Sequence, residues 1–241
     1  MRVRGRRECR DCEHRWSYYE TGSVECPACG SLRSVGVDDR TRHTDTPVSL
    51  DLSPHRRAID ADGLDGLDAA ASDLKRDLRT YRNKRGFVRG GDLLALDTTF
   101  LAATELLHAV DVLARADASE ITDDEEFYLL DLLRGADAGE RPPVEEVPES
   151  MRAARGLAVA EAVDDYRREV LAWLDDNPDA AARRTLGTVS DLLKRTRALG
   201  GDVPLDTSET LVTATQEVSR YLREGDEAAL STAGDRLSRL L

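Results

Sequence analysis

From about residue 58 onward, apolar positions recur with the period of an α-helix. Leu64, Leu67, Ala71, Leu74, Leu78 and Tyr81 alternate spacings of three and four, which makes one helical stripe. Gly86 and then Gly90-Gly91 end it. Leu96, Phe100, Ala103, Leu107, Val110 and Leu113 form a second stripe, on a helix from about Asp92 to Ala116. Thr122 followed by Glu125 is a capping-box pattern, in which each side chain satisfies a free backbone N–H. It opens a short helix carrying Phe127, Leu130 and Leu133. Residues 136–148, with Pro142, Pro143 and Pro148, break the pattern. A long helix is expected from about Glu149 to Asp176, ended by Asn177-Pro178, and another up to Leu199 before Gly200-Gly201. Two last helices, roughly 207–223 and 226–240, meet at Gly225. No strand pattern appears after residue 60, and no internal repeat is found.

The first residues read differently. Short strands are expected over Arg2–Glu8, Arg15–Thr21 and Leu32–Val37, punctuated by Gly22 and Gly30. Residues 38–57 are polar, contain Pro47 and Pro54, and read as a linker. The expected fold is a small β unit over 1–37, a polar linker over 38–57, and an all-α domain over 58–241 with six or seven helices. Nothing approaches the roughly 18 apolar residues of a membrane span, and MRVRGRRECR lacks the apolar stretch of a signal peptide. A cytoplasmic location is expected.

All four cysteines lie in the β unit, as Cys9-Arg-Asp-Cys12, thirteen intervening residues, and Cys26-Pro-Ala-Cys29-Gly30. Without an export signal, a disulfide framework is a poor explanation. A C-x₂-C turn points two sulfurs at one ion, and two such turns complete a tetrahedral thiolate set. Pro27 stiffens the second turn, and Gly30 supplies the positive φ by which the chain leaves it. The first turn has Glu13 where that glycine is expected, so a strained turn is predicted there. Cys9, Cys12, Cys26 and Cys29 are the predicted ligands of one structural Zn²⁺.

The motif CRDC, Trp16-Ser-Tyr-Tyr-Glu-Thr-Gly22 and CPACGS resembles the zinc ribbon, the rubredoxin-like knuckle fold. With the following LRSVGVDDRTRHT it is similar to haloarchaeal proteins described as TFIIB-type zinc ribbon-containing. That resemblance implies a β zinc ribbon and a link to transcription. Because rubredoxin shares the CPxCG knuckle, iron is the alternative metal, and a rubrerythrin-like redox protein the alternative function. A di-iron bundle needs two Glu-x-x-His motifs. Only Glu105-Leu-Leu-His108 is present, so His108 is read as a partly buried helix histidine beside Glu105.

Charge separates the possible partners. The chain carries 47 acidic and 34 basic residues, a formal net charge of -13, and only Lys75, Lys84 and Lys194 of the basic residues are lysine. An Asp- and Arg-rich, Lys-poor, aromatic-poor composition suits a high-salt cytoplasm, where charge is screened within about 3 Å at 1 M. On the β unit, Arg4, Arg6 and Arg15 are interleaved with Trp16, Tyr18 and Tyr19, as phosphate pairing and base stacking would require. The alternative is that Trp16 covers the knuckles while the arginines make local salt links. Residues 1–57 sum to only +2 and residues 58–241 to -15, so the body repels a phosphate backbone. A second basic stretch puts Lys75, Arg79 and Arg82 on one helical face. It reads either as a docking patch or, the favoured reading, as cations paired with acidic neighbouring helices.

No phosphate loop, G-x-G-x-x-G, H-E-x-x-H or G-x-S-x-G motif occurs. Acidic pairs such as Asp164-Asp165 and Asp175-Asp176 point about 100° apart on a helix and read as solvated surface. The expectation is a non-enzymatic, zinc-binding recognition or adaptor protein with a protein partner. A direct nucleic-acid-binding regulator is the alternative.

Overall fold

The computed structural model describes residues 1–62, 67–116 and 121–241, so Leu64 of the first stripe lies outside the described residues. The protein is mostly helical, about 60%, with a small N-terminal strand region. Among the described residues, no helix is long and apolar enough to cross a membrane.

Gly5 divides the first expected strand into β1 (Arg2–Arg4) and β2 (Arg6–Cys9). A Cβ at Gly5 would lie 2.1 Å from the Tyr19 ring, so only glycine lets that ring close over the break. β2 is the centre of a three-stranded antiparallel sheet, flanked by β3 (Arg15–Ser17) and β4 (Ser34–Gly36). The expected strand Arg15–Thr21 is therefore half wrong. After Ser17 the chain makes one helical turn, α1 (Tyr18–Thr21), closed by Gly22 at φ 62°. β propensity yields here to tertiary contact: Tyr18 and Tyr19 both pack on the ring of His43.

Residues 38–57 do not form a free linker. β5 (Arg40–Arg42) pairs antiparallel with β1, with Arg2 opposite Arg42. His43 and Asp45 are buried, Leu52 joins the main core, and α2 (Ser53–Asp62) begins inside the expected linker. Polar composition misled because these polar groups find partners in the helical body.

The body comprises α3 (Leu67–Lys84), α4 (Thr98–Leu113), α5 (Asp123–Gly135), α6 (Arg152–Trp173), α7 (Ala180–Ala198), α8 (Leu205–Glu224) and α9 (Glu227–Ser238). α4 packs on α3, α5 and α6; α6 also packs on α7 and α8, and α8 on α9. α4 starts later than expected because Asp97 caps it, accepting from the Phe100 N–H at 2.7 Å. The Thr122–Glu125 capping box forms as expected. Phe87, Phe100 and Tyr166 meet edge-to-face at 4.9–5.0 Å in the fully buried centre.

A strand pair does occur after residue 60. β6 (Val88–Arg89) and β7 (Asp92–Leu93) form a hairpin around Gly90 and Gly91, at φ 63° and 97°. Two positive φ values are what a tight I′-like turn demands. The glycines that read as a helix stop are the turn itself.

Candidate metal centre

The two knuckles have the same backbone pattern. The Cys9 N–H donates to the His14 carbonyl and the Glu13 N–H to the Cys9 carbonyl. In the second, the Cys26 N–H donates to Ser31 and the Gly30 N–H to Cys26. Glu13 adopts φ 59°, matching Gly30 at φ 72°, so the expected strained turn is present.

β2 delivers Cys9, and the two knuckle turns bring the remaining sulfurs to it. Sγ of Cys9 and Cys29 are 3.7 Å apart, and Sγ of Cys12 and Cys26 3.6 Å. All four lie within 4.8 Å of one another. Four thiolates at about 2.3 Å from a tetrahedral ion stand about 3.8 Å apart. The donor set thus fits one metal ion. Cys9 and Cys26 are buried, whereas Cys12 and Cys29 are exposed, so the centre sits at the edge of the sheet.

The sulfurs can all be thiolates together only with a cation among them. The Asp11 N–H, 3.4 Å from the Cys9 sulfur, helps bring that thiol down to about 7. At Cys12 the His14 amide favours the thiolate, but Cys29, burial and the other two sulfurs outweigh it and push the thiol up to about 12. Four thiols this close cannot all ionise without a positive ion among them.

Trp16 is buried in a small cluster with Cys9 and Cys26, and its Nε1–H donates to the Ser23 carbonyl. It covers the knuckles and does not present a stacking face. Tyr18 and Tyr19 are half-buried, and the Tyr19 hydroxyl meets that of Thr41 at 2.5 Å. Arg15 pairs with Glu8, and Arg4 donates to the Asp38 carbonyl. The Arg6 side chain is exposed.

A family model described as a family of unknown function (DUF7117) matches residues 1–237. The chain belongs to the DUF7117 family. No curated protein and no solved structure matches it.

In this DUF7117 chain the second basic stretch is neutralised by the acidic helices around it. Lys75 pairs with Asp111 at 2.8 Å, Arg79 reaches the same carboxylate at 3.8 Å, and Arg82 bridges Glu161 and Asp165 at 2.7 and 2.9 Å. Glu105 and His108 do not meet. His108 Nε2 bonds Glu161 at 2.7 Å. Glu105, 1% exposed, accepts from the Tyr128 hydroxyl at 2.6 Å and pairs with Arg141 and Arg155. Positions i and i+3 share a helix side, but each residue is drawn to a different neighbouring element. Asp164 is buried against Arg167 and Arg197 and so is not the solvated surface expected, whereas Asp175 and Asp176 are exposed as expected, Asp176 also pairing with Arg2 and Arg42.

Chain order gave no signal for the seat of β5 on the body. Asp45, 1% exposed, accepts from Arg85 Nη1 at 2.7 Å and Arg89 Nε at 2.9 Å. The Thr44 hydroxyl bonds Glu169, whose carboxylate also accepts from the Phe87 N–H at 2.7 Å. A polar run alternating Arg, Thr, His and Asp before a proline is its only trace in the sequence.

Proposed function

We propose that the protein is a recognition or adaptor module in which one structural Zn²⁺ on Cys9, Cys12, Cys26 and Cys29 holds a zinc ribbon, and the ribbon and helical body together bind a macromolecular partner. The sulfur spacing of 3.6–3.7 Å is the observation that carries this reading. A four-thiolate site has no open position for a substrate water, so the metal serves folding and presentation. Zinc has no redox chemistry and suits a closed tetrahedral site. Iron in its place would redden the protein; elemental analysis and a visible spectrum decide between them.

A protein partner is the favoured one. Several of the cations that would contact phosphate are engaged within the chain: Arg4 with the Asp38 carbonyl, Arg15 with Glu8, Lys75 with Asp111, and Arg82 with Glu161 and Asp165. The net charge of -13 opposes nucleic acid, and phosphate affinity falls steeply with salt. A role near transcription rests on the ribbon resemblance. The test is affinity purification from native cells at native salt, with and without nuclease. A defined protein partner that survives nuclease supports the proposal. Partners that all vanish with nuclease point instead to a nucleic-acid-binding regulator, in which Arg4, Arg6 and Arg15 to Ala would weaken retardation of DNA or RNA.

A further inference from the structure

The strand region seats on the helical body around one histidine. His43 is 2% exposed, and its Nδ1 is buried with no hydrogen-bond partner. Tyr19 lies tilted on the ring at 4.6 Å and Tyr18 edge-on at 5.9 Å. The backbone on both sides of this ring makes the seat. The His43 N–H donates to Met1 at 2.9 Å, the Thr44 N–H to Val88 at 2.8 Å, and the Gly91 N–H to Arg42 at 2.8 Å.

The charged and titratable groups around the ring are few. Asp45 comes from its own segment, Arg89 from β6, the ammonium of Met1 from ahead of β1, and the two phenols from α1. The Met1 ammonium lies on the His43 carbonyl at 3.4 Å. Asp45 is the only carboxylate in this set, and Arg85 and Arg89 already hold it. An imidazolium would be a further cation in a dry pocket sharing that one carboxylate.

We infer that His43 is an acid-sensitive latch: the uncharged ring lets the N-terminal strand unit seat on the helical body, and protonation drives the two apart. Burial is the main cause opposing the proton; Asp45 favours it, and Arg89 and the Met1 ammonium oppose it, leaving the ring below its ordinary value. The sign follows. The opened state, with an ordinary ring near pH ~6.5, takes up the proton more readily than the seated one. Seating is therefore at full strength above about pH 6.5 and weakens as pH falls below it. The latch requires neither the identity of the metal nor that of the partner.

The test is hydrogen exchange on the full-length, zinc-loaded protein at pH 7.5, 6.5 and 5.5, corrected for intrinsic exchange, with bound zinc measured in each sample. Protection at Thr44 and Gly91 is expected to fall by up to about fivefold over the last pH unit, and by up to about tenfold from pH 7.5, while zinc stays bound and the α6 amides stay protected. His43→Phe keeps the ring packing, removes the titration, and is expected to stay seated at pH 5.5. Should that variant not fold, the wild-type ring decides by NMR: a His43 ring pKa below the ordinary value supports the latch. Unchanged protection down to pH 5.5, opening at the same pH in His43→Phe, opening only together with zinc loss, or a ring titrating at or above the ordinary value would each overturn it.

Discussion

Glu13 sits in left-handed backbone, the one non-glycine residue among the described residues that does. That conformation costs about 1–2 kcal/mol in an ordinary residue. Glu13→Gly is therefore expected to stabilise the metal-loaded protein by about 1 kcal/mol, part of the gain being offset by the looser unfolded chain. Thermal unfolding reads the effect, and a lowered midpoint would contradict it. This feature was legible beforehand, because C-x₂-C-Gly and C-x₂-C-Glu can be compared by eye. Glu161 was not legible. Its hydrogen bond from His108, with the Arg82 guanidinium reinforcing it, holds its carboxyl down at about 2. A depressed carboxyl contributes stability above its ordinary value of roughly 4.3 and loses it as pH falls from there toward 2. Glu161→Gln should flatten that part of the acid-unfolding curve measured by circular dichroism; an unchanged acid limb would deny Glu161 the role. Its partners His108 and Arg82 lie 53 and 79 residues earlier in the chain, where periodicity cannot point.

At the level of elements, close backbone approach decides how strands meet helices. A Cβ at Gly86 would lie 2.4 Å from the Thr44 carbonyl carbon. Gly86→Ala is expected to destabilise by about 1–3 kcal/mol, as overpacking does, and to release the Thr44 amide in hydrogen exchange. Equal stability and protection would mean the two segments are not pressed together. Between α4, α5, α6 and α8, the buried Glu105 anchors Arg141 and Arg155, with Glu209 sharing both guanidiniums. Removing one member of a buried set leaves an uncompensated charge, so Glu105→Ala should lower stability by about 3–5 kcal/mol in urea unfolding. A loss under about 1 kcal/mol would show the site to be wet. Helix existence was readable from spacing, and the Thr122–Glu125 box placed one start correctly. Starts elsewhere shifted because Asp97 rather than Asp92 supplies the cap, and the Gly90-Gly91 turn was hidden by strands of two residues each.

For the whole molecule, the strand region and the helical body draw their stability from different sources. The buried hydrophobic cluster inside the sheet contains only Cys9, Trp16 and Cys26, whereas the body has an extensive apolar core. A segment with so small a core would draw its stability from a metal ion held by the four sulfurs. Stripping the metal with a strong chelator is expected to quench the native Trp16 environment and expose Cys9 and Cys26 to thiol reagents. The helical circular-dichroism signal should be largely retained. Loss of both signals together would show the two parts to be one cooperative unit, and loss of neither would show that the sulfurs hold no structural ion.

Local order was enough to specify the helices of the body and the four clustered sulfurs. Each depends on short-range regularities: a period near 3.6 with caps and breakers, or two cysteines a fixed turn apart. What lay beyond the sequence was the seating of one part on the other. Polar side chains in 38–57 look solvated in one dimension, yet Thr44, Asp45 and Arg42 find Glu169, Arg85 and Asp176 only once the chain has folded. Buried charge and hydrogen-bond partners are assigned by three-dimensional proximity, which hydrophobic periodicity does not encode.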